Sequence, residues 1–232
     1  MTDLAGHDIA LVRAPNPGPL TLSGTNTWVV GRDPAWVVDP GPAIPEHLDA
    51  VAAEVAARGG AGGIVVTHAH ADHAEGLDPL RARVGDEIVG DEVGPFTVLA
   101  LPGHSDDHVV FVAGRVAFTG DAVLGEGSVF VQGRLREYLE GLERLKRLHL
   151  ELICPGHGPP IHEVDAKLDG YIAHRLDRER RLLVALNQGL RTEDELLDAA
   201  WPDAPPALRP AAALTLRAHL EKLAAEGRYR SP

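Results

Sequence analysis

The sequence predicts an α/β layered domain carrying a small helical appendage, on three observations. Apolar runs of strand length alternate with helical repeats through the middle of the chain. Several of these runs end abruptly in a histidine or an aspartate. Beyond His174 the strand signals stop and only helical spacing remains. The division is placed after residue 165, giving a layered domain at 1–165 and a helical domain at 166–232.

The elements follow in order. Residues 16–31 end in a strand that turns at Asp33-Pro34 into a second strand at 35–38, a hairpin-like pair. Asp39 stands where that strand stops, either capping the turn or orienting a ligand histidine; both readings stay open. Residues 45–58 place Leu48, Val51, Ala52, Val55 and Ala56 at helical spacing, with Pro45 opening and Gly59-Gly60 closing the helix. A strand at 64–66, a short helix at 75–84 and strands at 87–89, 96–101, 109–112 and 116–118 come next. The leucine stripe of residues 134–149 is a core-facing helix, and 152–154 a short strand.

Composition bounds the setting. The 232 residues, 44% hydrophobic and 24% charged, can bury a core without disulfides. The single cysteine, Cys154, cannot bridge within the chain and fits a reducing compartment; at a strand position it reads as a small buried hydrophobe. The first eight residues lack the basic start and apolar stretch of a signal peptide, and no apolar run reaches membrane-spanning length. A cytoplasmic protein with no membrane partner is expected. The net charge of -12 disfavours bulk attraction to nucleic acid.

The densest chemistry lies at residues 67–73, Thr-His-Ala-His-Ala-Asp-His, directly after an apolar run. His68 and His70 are two apart, so an extended backbone sends both rings to one side and toward one cation. Asp72 and His73 follow as the chain turns and point elsewhere, which suggests two adjacent metal positions. Neutral imidazole and carboxylate suit zinc and neighbouring first-row metals. The bland alternative, a solvated histidine-rich loop, leaves the later residues unexplained. His104, presented after Pro102-Gly103, is the natural third ligand of the first metal. Asp121, after Thr119-Gly120, can bridge the two ions with its two oxygens, and His157, after Pro155-Gly156, completes the second. His108 is read as structural, or with Asp107 as a partner for a ligand's other ring nitrogen.

With these residues in view the chain resembles the metallo-β-lactamase superfamily, whose H-x-H-x-D-H signature is here His68 to His73. More narrowly it is similar to the β-lactamase-like protein 2 group, through residues 16–31, 102–108, 118–129, 155–161 and 171–178. The resemblance implies an αββα sandwich with a dinuclear site at one edge, two zinc ions (manganese or iron being alternatives), and a small winged-helix-like tail. It also implies a hydrolase in which a hydroxide held between the metals attacks and Asp72 orients it. The activity so implied is phosphodiester hydrolysis, an endoribonuclease acting on single-stranded RNA. A glyoxalase II-like thioester or ester hydrolase is the alternative, and a non-catalytic metal-binding scaffold a third. The expected partner is an anionic small molecule or single-stranded RNA; a homodimer is left open.

The tail carries Leu176, Leu182, Leu183 and Leu186 on one helix, a Thr192 to Glu195 capping box opening another, and a third helix at 208–225 with a truncated wing at 227–230. DNA binding is set aside, because Arg209, Arg217 and Lys222 are interleaved with Glu221 and Glu226. The tail is expected to shape the mouth of the site. There His174, Arg175 and Arg178 would touch an anionic substrate, the alternative being plain surface charge.

Overall fold

A computed structural model describes residues 2–4, 6–85 and 93–229. In the first sheet β1 (Thr2–Leu4), β2 (Ile9–Arg13), β3 (Asn26–Val30) and β4 (Ala35–Val38) run antiparallel in chain order. Helix α1 (Pro45–Ala57) then crosses over, so that β5 (Ala61–Val65) lies parallel to β4. After the short helices α2 (Ala71–Ala74) and α3 (Leu77–Val84), the second sheet repeats the scheme. Strands β6 (Thr97–Ala100), β7 (Val109–Ala113) and β8 (Val116–Gly120) are antiparallel, α4 (Leu135–Lys146) crosses over, and β9 (Leu152–Pro155) pairs parallel with β8. The tail comprises α5 (Val164–Asn187), α6 (Glu193–Ala200), a single 3-10 turn (Pro206–Leu208) and α7 (Arg209–Ala225).

Strand alternation assigns the layers. Ile9, Leu11, Trp28, Val30 and Val38 face inward and meet Phe111, Val116, Phe118, Leu152 and Cys154 of the other sheet. Their neighbours Ala10, Val12, Val29 and Val37 face outward and are covered by Leu48, Val51 and Val55 of α1 and Leu80 of α3. On the far side Val110, Val112, Ala117 and Ile153 pack under Leu135, Tyr138, Leu142 and Leu145 of α4 and Leu168 and Tyr171 of α5. The order is therefore helix, sheet, sheet, helix. Phe118 is the centre of the inter-sheet layer, edge-on to Trp28 at 6.3 Å and Phe96 at 5.7 Å between ring centroids. Truncating it to alanine would cost about 3–5 kcal/mol. A separate apolar cluster, with Leu182, Leu186, Leu197, Trp201, Ala212 and Leu216, holds the tail together.

Three expectations are corrected. Strand β2 was not anticipated; it is apolar at four successive positions because both faces are covered, so no alternation marks it. The helix expected at 75–84 is α3, which starts only at Leu77; the unanticipated α2 precedes it and the chain turns at Gly76, where an added Cβ would stand 2.8 Å from the Gly41 carbonyl oxygen. Helix α5 begins at Val164, well before the expected change near His174, because Leu168 and Tyr171 belong to the sheet's covering layer. The division placed after residue 165 thus falls within the first turn of α5, whose first half serves one core and second half another. The strand expected at 87–89 and Arg230 of the expected wing lie outside the described residues. Among the described residues no helix is long and apolar enough to cross a membrane.

Candidate metal centre

All the donors stand at the carboxyl ends of strands, along one edge of the sandwich. The loop after β5 supplies His68, His70, Asp72 and His73, the turn after β6 supplies His104, β8 runs into Asp121, and β9 into His157. His70 has an extended backbone and precedes α2, so Asp72 and His73 ride on a helical turn and are rotated away from His68 and His70. The chain is carried through this edge by bare glycines. A Cβ at Gly156 would stand 2.6 Å from His73 Cε1 and 2.7 Å from Asp121 Oδ1; one at Gly120, where φ is +44°, would stand 2.3 Å from Thr67 Oγ1.

The structure brings the seven residues together. His68, His70 and His104 form one converging set and Asp72, His73 and His157 another; Asp121 also converges with His68 and His73. His70 Nδ1 is 3.0 Å from His68 Nε2 and 3.0 Å from His104 Nε2. His157 Nε2 is 3.3 Å from His73 Nε2 and 3.2 Å from Asp72 Oδ2. Asp121 lies between the sets, with Oδ1 3.3 Å from both His73 and His157 and Oδ2 3.6 Å from His104. The donors of a four-coordinate zinc, at about 2.0–2.1 Å from the ion, stand about 3.3 Å apart, which is the spacing here. Asp121 Oδ1 is buried without a hydrogen-bond partner, as expected of an oxygen aimed at a cation. The residues present therefore fit two divalent ions.

Electrostatics separates the two sets. Burial, reinforced by His73 and His108, pushes the His68 imidazole down to about 3, and burial also lowers His104. Both are neutral near pH 7, the form that binds a metal. In the other set burial opposes the proton but loses. Asp121 and Asp39 hold His73 well above its usual value, while the neighbouring carboxylates of Asp121 and Asp72 raise His157 to about 9. Asp121 is held well below the usual carboxylate range despite its burial, chiefly by His73. This set demands positive charge, and divalent cations supply it.

Supporting groups fix the donors. Asp39, its backbone in the left-handed region at φ 55°, accepts from the Thr67 amide (2.7 Å) and hydroxyl (2.8 Å), and its Oδ2 lies 2.8 Å from His73 Nδ1. His108 is stacked on His68, and its Nε2 accepts from the Asp121 amide at 3.2 Å; it is not among the donors. Asp107 accepts from the Ala69 amide, tying the histidine loop to the second sheet's β6–β7 connection. Tyr171 accepts from the Leu124 amide and Tyr138 donates to the Ala122 carbonyl, pinning the segment after Asp121; nothing in the sequence distinguished these tyrosines from core residues. Cys154 is buried in the inter-sheet layer.

A cleft of about 310 Å3 opens onto the donors His70, Asp72, His104 and Asp121. Its walls are apolar: Pro19, Leu20 and Leu22 on one side, Leu124, Val129 and Phe130 on another, and Leu208, Ala211 and Leu214 from the tail. Among the described residues Glu126 is its one charged wall residue besides the donors. Arg175 and Arg178, expected at this mouth, are buried and line a neighbouring cavity together with His174. A wider surface groove between α4 and α5 has no metal donors and mixes arginine with glutamate.

Comparison with known proteins follows the same lines. Residues 82–157 match the metallo-beta-lactamase superfamily, and residues 192–231 match the beta-lactamase associated winged helix domain. A beta-lactamase-like protein 2 homolog of Caenorhabditis elegans is 31% identical over 100% of the chain and 86% of its own length. An atrochrysone carboxyl ACP thioesterase of Aspergillus novofumigatus is 34% identical over 76% of the chain and 62% of that protein. A crystal structure of a metallo-beta-lactamase family protein from Thermus thermophilus superposes with a TM-score of 0.70, covering 95% of this chain and 94% of that one at 24% identity.

Proposed function

Because the chain belongs to the metallo-β-lactamase superfamily, alongside the beta-lactamase-like protein 2 homologs, and is a hydrolase, we propose that it hydrolyses thioesters or esters of a largely apolar acyl group with two zinc ions at the donor cluster. The observation that carries this reading is the cleft wall: leucine, valine and phenylalanine surround the approach, and among the described residues no lysine or arginine lines it. A single-stranded RNA would bring one negative charge per nucleotide to a cleft bearing Glu126, on a chain of net charge -12. The phosphodiesterase implied by the sequence resemblance is therefore the less favoured reading. The thioesterase named among the relatives supports the acyl reading independently.

Divalent ions held by His68, His70, Asp72, His73, His104, Asp121 and His157 would supply Lewis acidity and bring the pKa of water toward neutrality. The chain's own contribution is placement. Asp72 is the donor carboxylate most open to the cleft, its side chain 29% exposed against 12% for Asp121. It orients the attacking water and accepts its proton, while hydrogen-bonded His157 steadies its charge. Leu20, Leu22, Leu208 and Leu214 exclude bulk water and bind the acyl chain. Asp39 and His108 keep His73 and Asp121 aimed.

The test is to assay zinc-loaded protein on a medium-chain acyl thioester, a single-stranded RNA oligomer and a chromogenic lactam. Thioester turnover that disappears with chelator and falls about a hundredfold or more in Asp72→Ala is expected. RNA cleavage without thioester turnover would overturn the reading.

A further inference from the structure

A second cavity, of about 290 Å3, lies behind the metal cleft. Residues 127–130 and Leu208 form a wall common to both. The second cavity differs in charge: its lining includes His174, Arg175 and Arg178 of α5, Trp201, Asp203, and Thr215 of α7.

Arg175 is the unusual group. It is 2% exposed, donates from Nη2 to Ser128 Oγ at 3.1 Å and to the Val129 carbonyl, and leaves Nε without a partner. Among the described residues no carboxylate stands within ion-pairing distance of it, while the Tyr138 ring lies 5.8 Å from its guanidinium carbon. A buried guanidinium without a counter-charge is costly, and the ring's π-face offsets only part of that cost. Arg178 does have its counter-ion, Asp203 at 2.7 Å, so the cavity keeps one positive charge in excess on a strongly acidic chain. Burial, followed by Arg175, pushes His174 down to about 4 and the adjoining His219 down to about 3, so neither adds charge near neutral pH.

We propose that this cavity holds an oxoanion, carboxylate or phosphate, carried by the substrate whose scissile bond lies at the donor cluster. The proposal rests on the acyl-ester reading and extends it: the apolar cleft takes the hydrocarbon, and Arg175 meets the charged end beyond residues 127–130. Ser128, bonded to Arg175 and 3.4 Å from His174 Nδ1, belongs to the wall that the two spaces share.

The experiment has two arms. In the first, zinc-loaded protein is titrated with inorganic phosphate at constant ionic strength while tryptophan emission is followed, with Trp201→Phe identifying the reporter. A saturable change that vanishes in Arg175→Met and in Ala204→Glu, which sets a carboxylate in the same cavity, is expected. No saturable change, or one that survives both variants, overturns the proposal. Because Ala204 makes no part of the Arg175 contacts, its variant decides the matter if Arg175→Met fails to fold.

In the second arm KM is compared for a thioester whose acyl chain ends in a carboxylate against its methyl ester, and for a thiol bearing a phosphate against the same thiol without it. Arg175→Met should raise KM about tenfold more for the charged member of one pair, which identifies the end that is read. Equal changes in all four overturn the substrate assignment. If none of the four is hydrolysed while the phosphate response still depends on Arg175, the acyl-ester reading falls and the oxoanion site stands.

Discussion

The two sheets are built on the same plan and furnish the site in opposite ways. Each runs antiparallel and then crosses over through one helix to a parallel strand. The first sheet delivers four donors from one loop, residues 68–73, and braces them with Asp39 from the neighbouring strand end. The second delivers one donor from each of three strand ends, at His104, Asp121 and His157. The dense loop is a local property of the sequence, whereas the scattered three converge only when both sheets are packed. Metal binding should therefore report on the joining of the halves rather than on either alone.

The largest expected effect comes from the residue that joins them. Asp121→Ala should lower turnover by about three decades, several kcal/mol of lost transition-state stabilisation, and reduce bound zinc below two per chain by elemental analysis. Full metal content with normal turnover would break the comparison. Next is Gly156→Ala, which adds one methyl between His73 and Asp121. A displacement of donors by a fraction of an ångström should cost up to about a hundredfold in kcat, with about 1–3 kcal/mol lost in denaturant unfolding. Third, the braces can be set against each other: Asp39→Ala removes three contacts inside the first half, while Asp107→Ala removes one contact to the histidine loop and one to Ser105 of its own turn. Asp39→Ala should weaken zinc binding by about 10–100-fold in a competition titration with a chelator, and Asp107→Ala by less. The reverse ranking would show that the loop is braced from outside.

The smallest effect near neutral pH belongs to neither half. His219 of α7 is fully buried with neither ring nitrogen bonded, and burial followed by Arg175 pushes it down to about 3. Its folded value lies below the unfolded one, so its neutral state is no liability above pH 6.5, and stability is lost as pH falls from there toward 3, at up to about 1.4 kcal/mol per unit. His219→Leu should flatten that part of the acid-unfolding profile and leave zinc content unchanged. An unaltered slope would assign the acid sensitivity to the donor cluster instead.

How much of this was legible depended on where each residue sits. The donors could be read because each interrupts the chain just as an apolar run ends, where a solvated turn needs no imidazole. The order of the layers was legible from the alternating strand and helix signals and the resemblance. The cleft walls were not: Leu208 and Leu214 stand at helical spacing, and a leucine facing a cleft is written no differently from one facing a core. Arg175 and Arg178 were expected at the metal mouth and lie behind it, because a helix's buried face can be assigned only once its first turn is known. Taking the helical pattern of α5 to start near His174 rather than Val164 hid the turns that fix its orientation. Asp39's role stayed open because its partners, Thr67 and His73, are far along the chain.

Helix α5 runs unbroken for 24 residues, a rod of about 36 Å whose two ends are sunk in different apolar clusters. Such a strut ties the layer that covers the donor-bearing sheet to the cluster that carries the tail's leucines. Relatives built on the same strut would accordingly change their diet by exchanging side chains at positions 208, 211 and 214, one residue at a time, with the donor geometry untouched.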